Sequence, residues 1–254
     1  PAILIFDNSG TETILVAYNT FEPDESEYGY KSIAYSTKST DGGATWSDKV
    51  QLNGTNEGRT RGRPILLSNG NILVSVSDGI GSPERQYACI SSDGGDSWSV
   101  VEMANSIDDA PFTADECSLI ETKTDGAFTG GVYAVVREGL AGSEKYWRLT
   151  SPDYGMTWGS PTEETGLPKE QNGTGTPCGL IRMSDGTILA NYNKGWGDGI
   201  WIYQSNDECE TWEAKSKILS TGGNYSSLVE ISNSKIYVAW CDNGRVSSVW
   251  GNDF

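Results

Sequence analysis

SSDGGDSW, Ser91 to Trp98, decides the fold because it recurs. STDGGATW runs from Ser39 to Trp46, SPDYGMTW from Ser151 to Trp158 and SNDECETW from Ser205 to Trp212. All four read S-x-D-x-x-x-[ST]-W, and all but the last carry Gly two residues after the Asp. Trp46, Trp98, Trp158 and Trp212 are separated by 52, 60 and 54 residues. A period of that size marks an array of similar supersecondary units. In each octapeptide the Asp is expected to accept hydrogen bonds from backbone N–H groups of its own turn, and Gly to supply a residue with positive φ. The Trp is expected to wedge beneath the turn and pack between neighbouring units. Asp41, Trp46, Asp93, Trp98, Asp153, Trp158, Asp207 and Trp212 are therefore read as structural, without a part in catalysis. Cys209 takes the Gly position of the last copy, so that turn has to accept a non-Gly residue at a small cost.

Outward from the octapeptides, the chain reads strand, tight turn, strand. CGLIRMSDGTILANYN, Cys178 to Asn193, turns at Asp185-Gly186. RPILLSNGNILVSVSD, Arg63 to Asp78, turns at Asn69-Gly70, and SSLVEISNSKIYVAWCD, Ser226 to Asp242, is a third copy. Such Asx-Gly pairs between alternating apolar runs are hairpin signals. A short strand enters each octapeptide (Ile33–Thr37, Tyr87–Ile90, Tyr146–Leu149, Ile200–Tyr203). Another leaves it (Val50–Leu52, Val100–Met103, Lys217–Leu219). This makes four strands per unit, A to D, with the octapeptide in the C–D hairpin. The fold class is all-β, and four-stranded units stacked radially make a β-propeller. Residues 1–254 are read as one such domain.

Composition narrows the chemistry. The chain of 254 residues has 35 Asp and Glu against 18 Lys and Arg, a net charge of −17. That balance argues against nucleic acid, which wants a basic stripe, and against an anionic membrane surface. No apolar run approaches the ~18 residues of a membrane span. There is no histidine, which removes Ser-His-Asp and Cys-His nucleophile systems and histidine-ligated zinc. Acid–base work falls to Asp, Glu, Tyr or Lys. No cofactor and no metal is expected. The five cysteines show no C-x-x-C spacing, and the odd count leaves at least one thiol unpaired within the chain.

Connectivity predicts where function gathers. A and C run one way, B and D the other, so the start of A and the end of B share one face, opposite the octapeptides. Aligning the units on Ile72, Ile188 and Ile236 puts Arg61, Glu116, Pro177 and Tyr225 at A-strand starts. It puts Asn19, Ser77, Arg137, Asn193 and Cys241 at B-strand ends. The Glu116 and Arg137 placements assume an insertion at Lys123–Gly131. An Arg, a Glu, a Tyr and a second Arg thus converge on one face. Charged groups held near a core are costly unless they pair or bind a ligand. A Tyr beside a Glu can act as a nucleophile, and Arg side chains grip a carboxylate bidentately.

The octapeptides resemble the Asp-box repeats of sialidases and their relatives, and the resemblance covers nearly the whole chain. DECSLIE, Asp115 to Glu121, is similar to the sialidase segment whose Glu activates the tyrosine, which implies that role for Glu116. VVREG, Val135 to Gly139, resembles the strand end carrying a carboxylate-binding arginine, here Arg137. NYSSLVEI, Asn224 to Ile231, resembles the segment with the nucleophilic tyrosine, here Tyr225. RGRPILLSNGNILV, Arg61 to Val74, resembles the blade before the Glu blade, and Arg61 is a further substrate-side charge. Trp196, in a Gly-rich B–C loop, is the aromatic candidate for a sugar platform. The resemblance implies a six-bladed propeller and retaining hydrolysis of a terminal acidic sugar, sialic acid or a relative, from a glycan. It also implies a secreted or extracellular setting, although no signal peptide is visible.

The sequence departs from the family in several places. Four complete units and a three-stranded last one make about five blades. The last matches the family's tyrosine blade, so PAILIFDNSGTETILVA, Pro1 to Ala17, falls in the second blade and the first is expected to be missing. In a rival register, Pro1-Ala2 ends a truncated Arg-Ile-Pro-Ala motif, and Asp24 is the acid/base candidate. The stretch before the strand entering the fourth box, Lys194 to Gly199, holds no arginine. Asp242 is a stand-in for a late glutamate that orients an arginine. A catalytically inactive Asp-box propeller that binds glycan or protein is the alternative reading.

Overall fold

The computed structural model describes residues 2–23, 30–55, 57–60, 62–78, 84–113, 115–138, 145–167, 179–193, 199–220, 224–232, 235–242 and 245–253. Among these, every regular element is a strand, and no helix is long and apolar enough to cross a membrane. The first sheet has the order β1 (Ala2–Asn8), β2 (Thr11–Pro23), β3 (Tyr30–Ser39), β4 (Val50–Gln51). The second is β5 (Ile65–Leu66), β6 (Ile72–Asp78), β7 (Arg85–Ser91), β8 (Ser99–Asn105). The third is β9 (Cys117–Thr124), β10 (Ala127–Arg137), β11 (Tyr146–Ser151), β12 (Thr162–Glu163). The fourth is β13 (Gly179–Arg182), β14 (Ile188–Asn193), β15 (Ile200–Ser205), β16 (Glu213–Lys217). The fifth has three strands, β17 (Asn224–Ser232), β18 (Lys235–Asp242) and β19 (Arg245–Asp253). Strands consecutive in sequence are neighbours throughout, and each octapeptide sits between the third and fourth strands of its sheet.

Chain contacts divide the molecule into two compact units, residues 1–134 with 149–161 and residues 135–148 with 162–254. In the first unit, Leu4, Phe6, Leu15 and Ala17 of the first sheet pack with Ile72, Val74, Val76 and Cys89 of the second. In the second unit, Ile181, Leu189, Ile200 and Ile202 pack with Leu228, Ile236, Val238 and Trp240. The hairpin isoleucines used to align the units, Ile72, Ile188 and Ile236, are all fully buried. The expected insertion at Lys123–Gly131 is absorbed as a long hairpin, β9 to β10, that turns at Asp125-Gly126 with positive φ at both residues. Several boundaries differ from expectation. The strand leaving the fourth octapeptide is Glu213–Lys217, starting directly after Trp212 rather than at Lys217. β16 pairs with β15 through a register shift between Ile202 and Tyr203. β2 also runs past Asn19 to Pro23, pairing with β3 along its length.

The octapeptide turns are four copies of one hydrogen-bond pattern. Ser91 Oγ donates to Asp93 Oδ1 at 2.7 Å, while Ser97 donates its N–H to Oδ1 at 2.9 Å and its hydroxyl to Oδ2 at 2.5 Å. Gly95 N–H donates back to Ser91 Oγ at 2.8 Å. The same four bonds link Ser39, Asp41, Gly43 and Thr45. They recur through Ser151, Asp153, Gly155 and Thr157, and through Ser205, Asp207, Cys209 and Thr211. Cys209 adopts φ 71° and is fully buried, so apolar contact accompanies the strained backbone. Cys89 and Cys117 are buried free thiols, and Cys209 is buried as well.

The tryptophans do not all play one part. Trp98 packs against the core it shares with the first sheet, and its Nε1–H donates to Ser36 Oγ at 3.0 Å. A side chain at Gly95 would lie 2.5 Å from Leu15 Cδ1, so glycine permits this close docking. Trp158 donates to Gly155 O of its own turn at 2.9 Å. Trp212 lies against Gly166, where a Cβ would come within 2.9 Å of the ring. Trp46 breaks the pattern, being 45% exposed. A Cβ at Gly43, the counterpart of Gly95, would meet nothing within 4 Å but Trp46 itself. The expectation that every box Trp packs between units is corrected for Trp46.

Trp98→Ala is expected to cost about 1–3 kcal/mol, as for a half-buried aromatic packed on the core, and Trp46→Ala less than about 1; chemical denaturation of the two variants checks this. The box carboxylates also set an acid limit. Hydrogen bonds from Thr45 and then Ser39 hold Asp41 at about 2. Burial pushes Asp93 up, but the bonds from Ser97, Ser91 and Asp96 outweigh it and hold that carboxyl at about 2. Groups lowered in the fold stabilise it fully above about pH 4 and lose that contribution as pH falls toward about 2. Stability should decline across that window, with a shallower slope in the Asp41→Asn/Asp93→Asn double variant.

Candidate functional site

In each of the four sheets that carry a box turn, the first strand begins, and the second ends, at the end opposite that turn, and Tyr225 and Asp242 take the matching strand-end positions in the fifth. Glu116 immediately precedes β9 and is 1% exposed. Ionised groups are seldom buried to that degree without a job or a partner. Arg137 is the last residue of β10 and half-buried. Tyr225 is the second residue of β17 and 57% exposed. Asp242 closes β18, paired in register with Arg245. Glu116 belongs to the first compact unit, and Arg137 and Tyr225 to the second. Asp24, Arg61 and Trp196 lie outside the described residues, as does the Lys194–Asp198 stretch.

Tyr225 has an unusual backbone. Its φ is +44°, a region that bulky L-residues avoid. The cause is a bulge: Asn224 pairs with Cys241 and Ser227 with Ala239, so Tyr225 and Ser226 together oppose Trp240 alone. Bulges of this kind place a residue in the left-handed region, where Gly is the usual choice, and they re-aim side chains beside functional sites. Here a tyrosine occupies the strained position and projects its phenol outward. The alignment of the units located Tyr225 but could not foresee the bulge, because NYSSLVEI carries no Gly to announce one.

Polar groups collect at this end of the sheets, several of them buried. Asn191 and Asn193 of β14 are fully buried, and Gln86 is 1% exposed. At the end of β6, Tyr87 donates its hydroxyl to Asp78 Oδ2 at 3.0 Å, and Arg85 reaches Glu102 at 3.3 Å and Asp78 at 3.9 Å. Burial, then the Asp78 carboxylate, pushes the Tyr87 phenol up to about 12. Burial also raises Asp78, despite the Tyr87 hydroxyl bonded to it. The pair shows what a carboxylate does to a neighbouring phenol at rest. It keeps the proton on oxygen, so such a phenol becomes a nucleophile only as the proton leaves during reaction. The sequence reading missed Asn191 and this Asp78–Tyr87 pair. Their signal was polar residues interrupting apolar strands, ILVSVSD and ILANYN.

A groove of about 480 Å³ in the second unit is lined by Arg148, Glu164, Glu210 and Trp212 among others. It adjoins the fourth box turn, not the strand ends that carry Arg137 and Tyr225. Among the described residues no cluster of His, Cys, Asp or Glu could hold a metal ion.

The family model of the BNR repeat-like domain matches residues 3–238. No curated protein matches the sequence. Solved structures share the fold. A protein of unknown function from Dyadobacter fermentans superposes with a TM-score of 0.74 at 21% identity, over 95% of this chain and 71% of that one. A Hadza microbial sialidase gives 0.69 at 14% identity, over 98% of this chain and 52% of its own. An α-L-arabinofuranosidase from Fusarium graminearum gives 0.61 at 16% identity, over 93% and 73%. The chain spans about half the length of the sialidase it matches.

The strain at Tyr225 has a measurable consequence. Tyr225→Gly should raise stability by about 0.5–1 kcal/mol in chemical denaturation, because glycine accepts the left-handed backbone. An ordinary exposed tyrosine in a strand would show the opposite sign.

Proposed function

The chain belongs to the BNR repeat-like family, and from that premise we propose that it is a sialidase-type exo-glycosidase. The substrate is a glycan ending in an acidic sugar, and the five sheets are blades of a sialidase-like propeller. The observation that carries this reading is Tyr225, an exposed phenol in a strained bulge. Backbone strain of that kind clusters at active sites. Sharing a fold with glycosidases of different sugars supports the reaction class more than the sugar.

In this proposal the Tyr225 oxygen attacks the anomeric carbon as Glu116 takes the phenolic proton. A carboxyl group, Asp24 in the rival register, protonates the departing glycosidic oxygen. The glycosyl-tyrosine is then hydrolysed by water, with the stereochemistry retained. A phenol suits the task because it approaches an anionic sugar without a charge of its own. Arg137 and Arg61 take the substrate carboxylate, Trp196 stacks on the sugar, and Asp242 orients an arginine. Because the net charge of −17 repels an anionic substrate at long range, these arginines must dominate locally.

A second reading, a glycan- or protein-binding propeller without turnover, is favoured by one feature. The Lys194–Gly199 stretch offers Lys194 where the family has an arginine, and an ammonium cannot form the bidentate fork. Hydrolysis of a fluorogenic sialoside separates the two. Tyr225→Phe should lower kcat by about 100-fold or more. Equal rates in wild type and variant would sink the role of Tyr225, and binding of sialoside without any turnover would favour the second reading.

A further inference from the structure

The second strand of a sheet reaches across to the start of the next sheet at three places, each within one compact unit. In the second unit, Asn191 Nδ2 donates to Ser226 O at 2.8 Å and also to Ser226 Oγ. Ser226 is the residue directly after Tyr225. In the first unit, Ser75 Oγ donates to Cys117 O at 3.1 Å, and Cys117 directly follows Glu116. Ser75 and Asn191 hold the same strand position, each the third residue after the buried hairpin isoleucines Ile72 and Ile188. A related contact pins Thr60, the neighbour of Arg61: Asn19 Oδ1 accepts the Thr60 N–H at 2.8 Å, and Asn19 Nδ2 donates to Thr60 O at 3.1 Å.

These contacts are held tightly. Asn191 is fully buried, and Ser75 and Cys117 are each 2% exposed. A Cβ on Gly179, opposite Asn191 in the β13–β14 register, would sit 2.3 Å from Asn191 Oδ1. Only glycine leaves that amide its place. Asn191 Oδ1 itself is buried with no hydrogen-bond partner among the described residues. That arrangement costs stability for the sake of aiming the two N–H donors at Ser226. A Cβ on Gly62 would likewise fall 2.0 Å from Cys117 O and 2.9 Å from Ser75 Oγ.

We infer that this second-strand position is a clamp. Asn191 is a positioning residue that holds the bulge presenting Tyr225, and Ser75 is a positioning residue for the backbone that presents Glu116. The physical need is clearest at Tyr225. A tyrosine at φ +44° would relax to an extended strand unless its neighbour were fixed, and relaxation would turn the phenol to the other face. The roles of Tyr225 and Glu116 in catalysis rest on the function proposed above; the clamp itself rests on the contacts.

The test needs a readout independent of turnover. Protein carrying tyrosine labelled with 13C at Cζ gives one signal per tyrosine, and Tyr225→Phe identifies the one from Tyr225. In Asn191→Leu, which keeps the shape but not the donors, that signal should shift or split. Gly179→Ala, which pushes a methyl against the Asn191 amide, should move it in the same way. Ser226→Ala, removing only the hydroxyl acceptor, is the milder variant should Asn191→Leu fail to fold. Where a sialoside is turned over, kcat should fall about 10–100-fold with KM within about threefold, the mark of a misaimed group rather than lost binding. Ser75→Ala should shift the acidic limb of the pH–rate profile, which Asn191→Leu leaves in place. An unmoved Tyr225 signal in folded Asn191→Leu and Gly179→Ala would overturn the clamp. Full turnover by Tyr225→Phe would overturn the catalytic reading instead, and the carbon signal would still judge the clamp.

Discussion

A carboxylate that accepts three hydrogen bonds from its own turn is the interaction on which the architecture depends. Asp93 takes bonds from Ser91, from the Ser97 amide and from the Ser97 hydroxyl, with a fourth from the Asp96 amide, and Ser91 in turn accepts the Gly95 amide. The loop is thereby closed by its own residues, and Lys38 of the first sheet adds a bond to Gly94 O and an ion pair with Asp96. A turn closed in this way fixes the register of the third and fourth strands and presents a flat Gly or Cys surface to whatever lies beneath it. Leu15 of the first sheet enters that space under Gly95. The box is thus a hairpin lock and a docking surface at once.

The opposite end of each sheet is built on different terms. There the chain buries polar groups, among them Glu116, Asn191 and Asn193, and each must be bonded or functional to be tolerated. Strain is placed there too, in the Tyr225 bulge. The contrast follows from where the strands are anchored. One end is tied by local hydrogen bonds within eight residues. The other is free to vary its first-strand starts, which differ in every unit as Glu116, Tyr225 and the residues around Thr60 show. A repeat fold can therefore hold a structural end constant while the other end diversifies.

Much of the fold was legible because its causes are local. The box residues declare their hydrogen bonds in the sequence, and the Asx-Gly pairs declare the hairpins that bury Ile72, Ile188 and Ile236. Connectivity placed Glu116, Arg137 and Tyr225 at strand ends, where the structure has them. The bulge at Tyr225 was not legible, since its sequence lacks the glycine that such a backbone prefers. Nor was the clamp, since one Asn within ILANYN looks like any half-buried strand residue until its partner is known.

By itself the sequence determined an all-β chain of repeated four-stranded sheets with a box turn at one end, because each of those features is encoded within a few adjacent residues. Only the tertiary structure decided that Trp98 packs half-buried on the core while Trp46 stays exposed, because burial depends on what another sheet supplies. It alone decided that Asn191 bonds to Ser226, the residue after Tyr225. That contact joins residues 35 positions apart along the chain, and no local pattern specifies a meeting between two strands of different sheets.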